Sequence, residues 1–149
     1  MTVRWPMPPT LLVASVTAMA GLHLLLPGPR WLASPWRWLG VAPIALGVVW
    51  NLWADRLFKR HRTTVKPHRA PTSLVCSGPF RISRNPMYVG MVAIAAGVAV
   101  LLGTVAPLIV LAAFTGILAG KFVPMEEQAM AEAFGDAWDD YRRRVRRWL

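Results

Sequence analysis

Four stretches of this chain are almost free of charge: Thr10–Leu26, Trp38–Trp53, Tyr88–Leu102 and Val105–Val123. Within each, apolar residues run continuously instead of recurring at strand or helix spacing. A surface helix of a soluble protein carries one apolar stripe, whereas a helix apolar on every side belongs in a bilayer or a large core. A membrane span needs roughly 17–25 residues, so the second and third blocks borrow flanking residues. The pattern predicts an all-α integral membrane protein of one domain, 1–149, with four transmembrane helices over about 8–26, 38–56, 87–103 and 105–123. Beyond the last span, Pro124 suits the first turn of a helix. Met130, Phe134, Ala137, Trp138, Tyr141, Val145 and Trp148 then recur at three- and four-residue steps. That period predicts an amphipathic C-terminal helix over about 124–147 on the membrane surface, with Gly135 placed to weaken or split it.

The links between blocks carry their own signals. Pro27-Gly28-Pro29 breaks the first helix, and Trp31, Trp36 and Trp38 follow where an interfacial aromatic belt is expected. Leu24-Leu25-Leu26-Pro27 is a poor small-residue cleavage site, so the first block reads as a retained helix rather than a signal peptide. Gly103 to Pro107 makes a tight hairpin between the third and fourth spans. The link from Arg56 to Asn85 is too long for a simple connector, and Leu74-Val75 with Gly78-Pro79-Phe80 argues for order in its second half.

Charge sets the expected orientation. Of a net charge of +10, residues 55–86 contribute eight cations against Asp55 alone. Cationic links stay in the cytoplasm. The 57–86 loop, the C-terminal segment and, by the parity of four spans, both termini are expected on the cytoplasmic face. Cations flanking apolar spans point to anionic lipid headgroups as partners and not to nucleic acid. Cys76 is the only cysteine, which excludes an intramolecular disulfide and a cysteine-cluster metal site. His23, His61 and His68 lack ligand spacing, so no metal is expected. His23 reads as an interfacial or packing residue. Asn51 and Asp55, four apart at the end of the second span, share a helix face and form either a polar rim or one wall of a site.

The densest chemistry lies between Leu74 and Tyr88. Backbone N–H groups surround Gly78, Arg84 and Asn85 carry donors, and Phe80 and Tyr88 carry aromatic faces. Glu126 and Glu127, at a helix start, add two carboxylates where the helix dipole favours anions. A zwitterion with a purine and a positive sulfur, such as S-adenosylmethionine, would use all of these. Other zwitterions and a purely structural basic turn fit as well.

The run Gly78-Pro79-Phe80-Arg81-Ile82-Ser83-Arg84-Asn85-Pro86-Met87-Tyr88-Val89-Gly90, led by Leu74-Val75-Cys76-Ser77, resembles the signature of the isoprenylcysteine carboxyl methyltransferase family. That family sits in a wider group of integral-membrane methyltransferases that includes phospholipid methyltransferases. Glu126-Glu127, Phe134-Gly135 and Tyr141-Arg142 resemble its closing pattern, so the likeness runs from about Thr63 to the last residue. The resemblance implies S-adenosylmethionine as cofactor, held by Ser73, Leu74, Val75 and Phe80, by Arg84, Asn85, Pro86, Met87 and Tyr88, and by Glu126. Glu127 and Gly78 join that set from the residue reading. Asn85 stands where the eukaryotic enzymes have histidine, Phe80 where they often have tyrosine, and Phe122, beside Lys121, where they place a substrate-binding arginine. The likeness therefore does not bring a prenylcysteine substrate with it.

The implied function is methyl transfer to a lipophilic or small acceptor (carboxylate, thiol or amine) reached from the membrane. The cofactor supplies its own leaving group, so no enzyme nucleophile is required. Cys76 reads as a packed small residue, and His68 and Lys121 are the candidates for a catalytic proton acceptor. The competing reading is a non-enzymatic module that docks anionic lipid or a protein partner through its basic loop and arginine tail.

Overall fold

The structure, a computed structural model, describes residues 7–26, 28–60 and 73–149. Among these residues it is all-helical, without a β-strand. Helix α1 spans Pro8–Leu25 and α2 spans Val41–Arg60, the latter led in by a 3₁₀ turn at Trp36–Gly40. A second 3₁₀ turn, Gly78–Arg81, precedes α3 at Pro86–Leu102. Helix α4, Val105–Ile117, passes through a π turn at Leu118–Phe122 into α5, Val123–Phe134. Helix α6, Asp136–Arg144, follows Gly135.

Three helical runs are long and apolar enough to cross a membrane: Pro8–Leu25, Trp36–Arg60 and Val105–Phe134. Helix α3 is as apolar but shorter. It is also the central element, packed against α1, α2 and α4. Its neighbours leave Val13, Leu46, Val49 and Ile109 facing outward, an apolar exterior that suits lipid.

Close packing of α2 on α3 depends on glycine. A Cβ on Gly47 would come within 2.5 Å of the Gly90 carbonyl oxygen, and one on Gly97 within 2.5 Å of the Gly40 carbonyl oxygen. Small residues let helix backbones approach in lipid, where packing drives association. Gly90 and Gly97, seven apart, put both contacts on one face of α3.

The sequence placed a helix start at Pro124, but the structure carries one helical run from Val105 to Phe134. Proline inside an α-helix clashes with the carbonyl four residues earlier. Here that carbonyl belongs to Gly120, within the π turn, whose wider winding moves it aside. The split expected at Gly135 occurs. This residue has φ +50°, and its N–H closes α5 on the Ala131 carbonyl. Helix α6 stops at Arg144, and Val145 is extended, so the C-terminal helix ends short of residue 147.

The two ends of the bundle differ. At one, the Trp31 and Leu32 N–H groups donate to the Gly103 carbonyl and the Trp31 indole N–H to the Thr104 carbonyl. Thr104 is wholly buried and shares a 3.0 Å hydrogen bond with His23, which makes His23 a packing residue. At the other end lie the 73–85 segment, the start of α3, α5, α6 and the C-terminal residues.

Candidate functional site

Ser83 anchors the site. Its backbone N–H donates to the Pro79 carbonyl, closing the 3₁₀ turn, and its hydroxyl accepts the Asn85 N–H at 3.1 Å. Pro86 then starts α3 where a missing N–H costs nothing. Gly78 has φ +58°, a conformation disfavoured for residues with a Cβ. A Cβ there would also meet Leu57 at 2.6 Å, so Gly78 lets the turn lie flat on α2. Phe80, folded inward, meets Phe58 edge-on with ring centres 5.0 Å apart. Its carbonyl accepts the Tyr141 hydroxyl at 2.7 Å, tying the turn to α6.

This framework borders a cavity of about 450 Å³, within the range of roughly 300–1,000 Å³ usual for ligand pockets. Of the residues singled out as cofactor-binding, Leu74, Val75, Phe80, Arg84, Asn85, Pro86, Met87, Tyr88, Glu126 and Glu127 all line it. Ser73 and Gly78 stand outside the wall. Of the two catalytic candidates, Lys121 is exposed on the π turn and outside the cavity wall. His68 lies outside the described residues.

The polar groups divide into two sets. The Tyr88 hydroxyl donates to Glu126 Oε1 at 2.5 Å. Glu127 is instead engaged by two arginines: Arg147 Nη2 stands 2.6 Å from Oε2 and Arg84 Nη2 3.4 Å from Oε1. Asn85 Nδ2 adds a 3.4 Å contact to Oε1. Two cations around one carboxylate leave this corner with excess positive charge. The Arg84 side chain is 9% exposed, and its Nε and Nη1 have no hydrogen-bond partner among the described residues. Buried donors are ordinarily satisfied, since leaving one unmade costs about 1–3 kcal/mol and more for a charged group. Burial lowers the Arg84 pKa from its ordinary value; Glu127 opposes that shift, while Arg147 and Arg142 add to it. Trp138 lies under the guanidinium, 5.8 Å from ring centre to Cζ.

The sequence reading missed part of the wall. Phe58 fell in the 57–86 loop, Met91 in the third span, Met130, Trp138 and Tyr141 on the apolar face of a surface helix, and Met7, Pro8 and Pro9 at the start of the first span, yet all line the cavity. Of the pair on α2, Asp55 lines the cavity while Asn51 packs against Gly90. The arginines of the tail had been placed on headgroups. Arg142 and Arg143 do pair outward with Asp139 and Asp140, but Arg147 turns in to Glu127. Among the described residues no three His, Cys, Asp or Glu side chains come together as a metal site.

No curated protein and no solved structure matches the chain. The family model described as phospholipid methyltransferase matches residues 35–137, from the 3₁₀ turn before α2 into α6. That stretch covers more than half of the chain and holds most of the cavity wall, including Arg84, Tyr88 and Glu126. Read with the apolar helices around it, this match places the chain in the phospholipid methyltransferase family of membrane methyltransferases.

Proposed function

We propose that the protein is an integral-membrane methyltransferase that uses S-adenosylmethionine to methylate a lipophilic or small acceptor. One observation carries the reading: Arg84, nine-tenths buried at the wall of a ligand-sized cavity, keeps two guanidinium nitrogens without a partner among the described residues. A buried guanidinium with donors to spare fits a ligand carboxylate. Across the same cavity, Glu126 offers an oxygen to an ammonium, and the aromatic rings of Phe80 and Tyr88 offer faces to a sulfonium. An amino acid carrying an aromatic base and a positive sulfur would use all three.

In this reading Arg84 holds the α-carboxylate, Glu126 the α-ammonium, and Leu74, Val75 and Met87 the apolar parts of the cofactor. When bound, the cofactor supplies an electrophilic methyl group and departs as a neutral thioether. The chain's own work is to orient that methyl in line with the acceptor and to exclude water. Tyr88 keeps Glu126 aimed through their shared hydrogen bond. No side chain is assigned as a proton acceptor: a carboxylate acceptor needs none, and the proton of a thiol or amine acceptor would leave to water at the cytoplasmic mouth of the site.

The membrane arrangement proposed is four spans, with α3 as the fourth crossing element. At 17 residues it is about 26 Å long, shorter than a typical hydrocarbon core of about 30 Å. Its central position, flanked by longer helices, accommodates the shortfall. Basic residues around the site support a cytoplasmic location for this end of the bundle, with both termini and the 57–86 loop on the same side. The acceptor reaches the cavity from the bilayer.

Calorimetric titration of the detergent-solubilised protein with S-adenosylhomocysteine tests the reading, with saturable binding expected. Absence of binding, in detergent and in lipid nanodiscs alike, would overturn it. The second reading, a headgroup-docking module, draws support from a smaller cavity of about 250 Å³ lined by Arg81 and Arg144 without an acid. It predicts lipid binding indifferent to Arg84→Ala and Glu126→Ala.

A further inference from the structure

The residues after α6 form an extended strap that crosses the cofactor corner. Val145 has φ −121° and ψ 133°, and the next residues run parallel to Ser83–Asn85. The Arg84 N–H donates to the Arg146 carbonyl at 2.9 Å. The Arg147 carbonyl accepts both the Ser83 hydroxyl, at 3.2 Å, and Asn85 Nδ2, at 3.1 Å. Trp148 packs on the core cluster that contains Tyr88 and Met91. Three consecutive residues of the corner are thus held by the strap.

The Arg147 side chain has a more specific consequence. A carboxylate accepts about four hydrogen bonds, and a guanidinium competes for them as a planar fork. Arg147 takes the better share of Glu127: Nη2 at 2.6 Å on Oε2 and Nε at 3.3 Å on Oε1. Arg84 is left one long contact, 3.4 Å from Oε1, and its Nε and Nη1 remain unpaired. Remove Arg147, and Arg84 is the guanidinium left beside Glu127.

We propose that Arg147 is a positioning residue: by occupying Glu127 it keeps the Arg84 guanidinium available for the ligand carboxylate, and carboxylate binding in turn fastens the strap. This rests on the reading of the cavity as an S-adenosylmethionine site. Without Arg147, Arg84 closes onto Glu127 and the ligand carboxylate loses its partner, while the corner, now one cation against one carboxylate, stays folded. The loss is confined to ligands that carry the carboxylate.

The test compares S-adenosylhomocysteine with 5′-methylthioadenosine, which keeps the nucleoside and sulfur but has no carboxylate. Arg147→Ala is expected to weaken S-adenosylhomocysteine about tenfold or more and to leave methylthioadenosine binding within twofold. Arg147→Lys should recover part of the loss, and Arg143→Ala, on the surface pair with Asp140, should change neither ligand. Wild-type protein gives a second measure: S-adenosylhomocysteine, but not methylthioadenosine, should slow tryptic cleavage after Arg146. Equal weakening of both ligands in Arg147→Ala, or no weakening, overturns the proposal, as does cleavage indifferent to S-adenosylhomocysteine. Failure of the wild type to bind S-adenosylhomocysteine at all would overturn the cofactor reading beneath it.

Discussion

The Tyr88 hydroxyl and the Glu126 carboxylate meet at 2.5 Å, joining the first turn of α3 to the first turn of α5 across the cavity. The two residues lie 38 positions apart, and the contact couples the motif before the third apolar block to the acids after the fourth. A hydrogen bond to a charged partner contributes about 1.5–3 kcal/mol. Glu126→Gln is expected to weaken S-adenosylhomocysteine tenfold or more, because the amide cannot neutralise an ammonium. Tyr88→Phe keeps the ring and should cost less, about threefold to tenfold. Calorimetry on the two variants ranks them, and the reverse order would mean that Glu126 does not face the ligand.

Arg84 separates a fork from a point charge. Lysine preserves the positive charge but not the planar pair of donors. Arg84→Lys should therefore lose about tenfold in S-adenosylhomocysteine affinity while keeping most of the thermal stability. Arg84→Ala should abolish measurable binding. Thermal unfolding in detergent, run beside the titrations, distinguishes a lost ligand contact from a lost fold.

The α2–α3 contact predicts an asymmetry among glycines. Gly47→Val drives a side chain into the Gly90 carbonyl, and overpacking of this kind costs about 1–3 kcal/mol. It should lower the melting temperature and, by moving Phe58 and Asp55, weaken the cavity. Gly116→Ala, where a Cβ meets nothing within 4 Å, should be neutral or stabilising by up to about 1 kcal/mol. Melting curves of the two variants settle the comparison, and equal effects would count against the close approach.

Cys76, exposed at its residue surface and not packed as the sequence suggested, supplies a pH readout through a partly buried thiol beside the smaller cavity. Burial raises its thiol pKa above the ordinary value, and Arg144 offsets this in part. The thiolate is the reactive form, so a raised pKa shifts the alkylation profile to higher pH. Iodoacetamide labelling should be slow at neutral pH and rise at a higher pH than for free cysteine. Arg144→Gln, which removes the opposing cation, should push the profile further up. A profile at or below that of free cysteine would contradict the burial.

The apolar blocks and the Leu74–Tyr88 run were legible because each is contiguous. Lipid demands an unbroken apolar length, and a turn between helices needs proline, glycine and serine close together. Where contact depends on where the chain returns, the sequence was silent. Nothing in the spacing of Arg147 distinguishes it from Arg142 or Arg143, which face outward; only the break at Gly135 and the extended strap bring it onto Glu127. Trp138 and Tyr141 were visible as an apolar stripe, but the same stripe suits a membrane surface. Pro124 misled the boundary because its ordinary meaning, a helix start, assumes that no π turn precedes it.

That π turn has a mechanical consequence. Because α4 and α5 form one unbroken rod, the two glutamates are rigidly geared to a helix whose far end lies at the opposite face of the bundle. From Val105 to Glu126 the rod measures about 32 Å, so pivoting it by about 5° at the far end swings the carboxylates by about 3 Å. A change in the lean of that run would therefore change the width of the gap between the acids on one side and Arg84 and Tyr88 on the other.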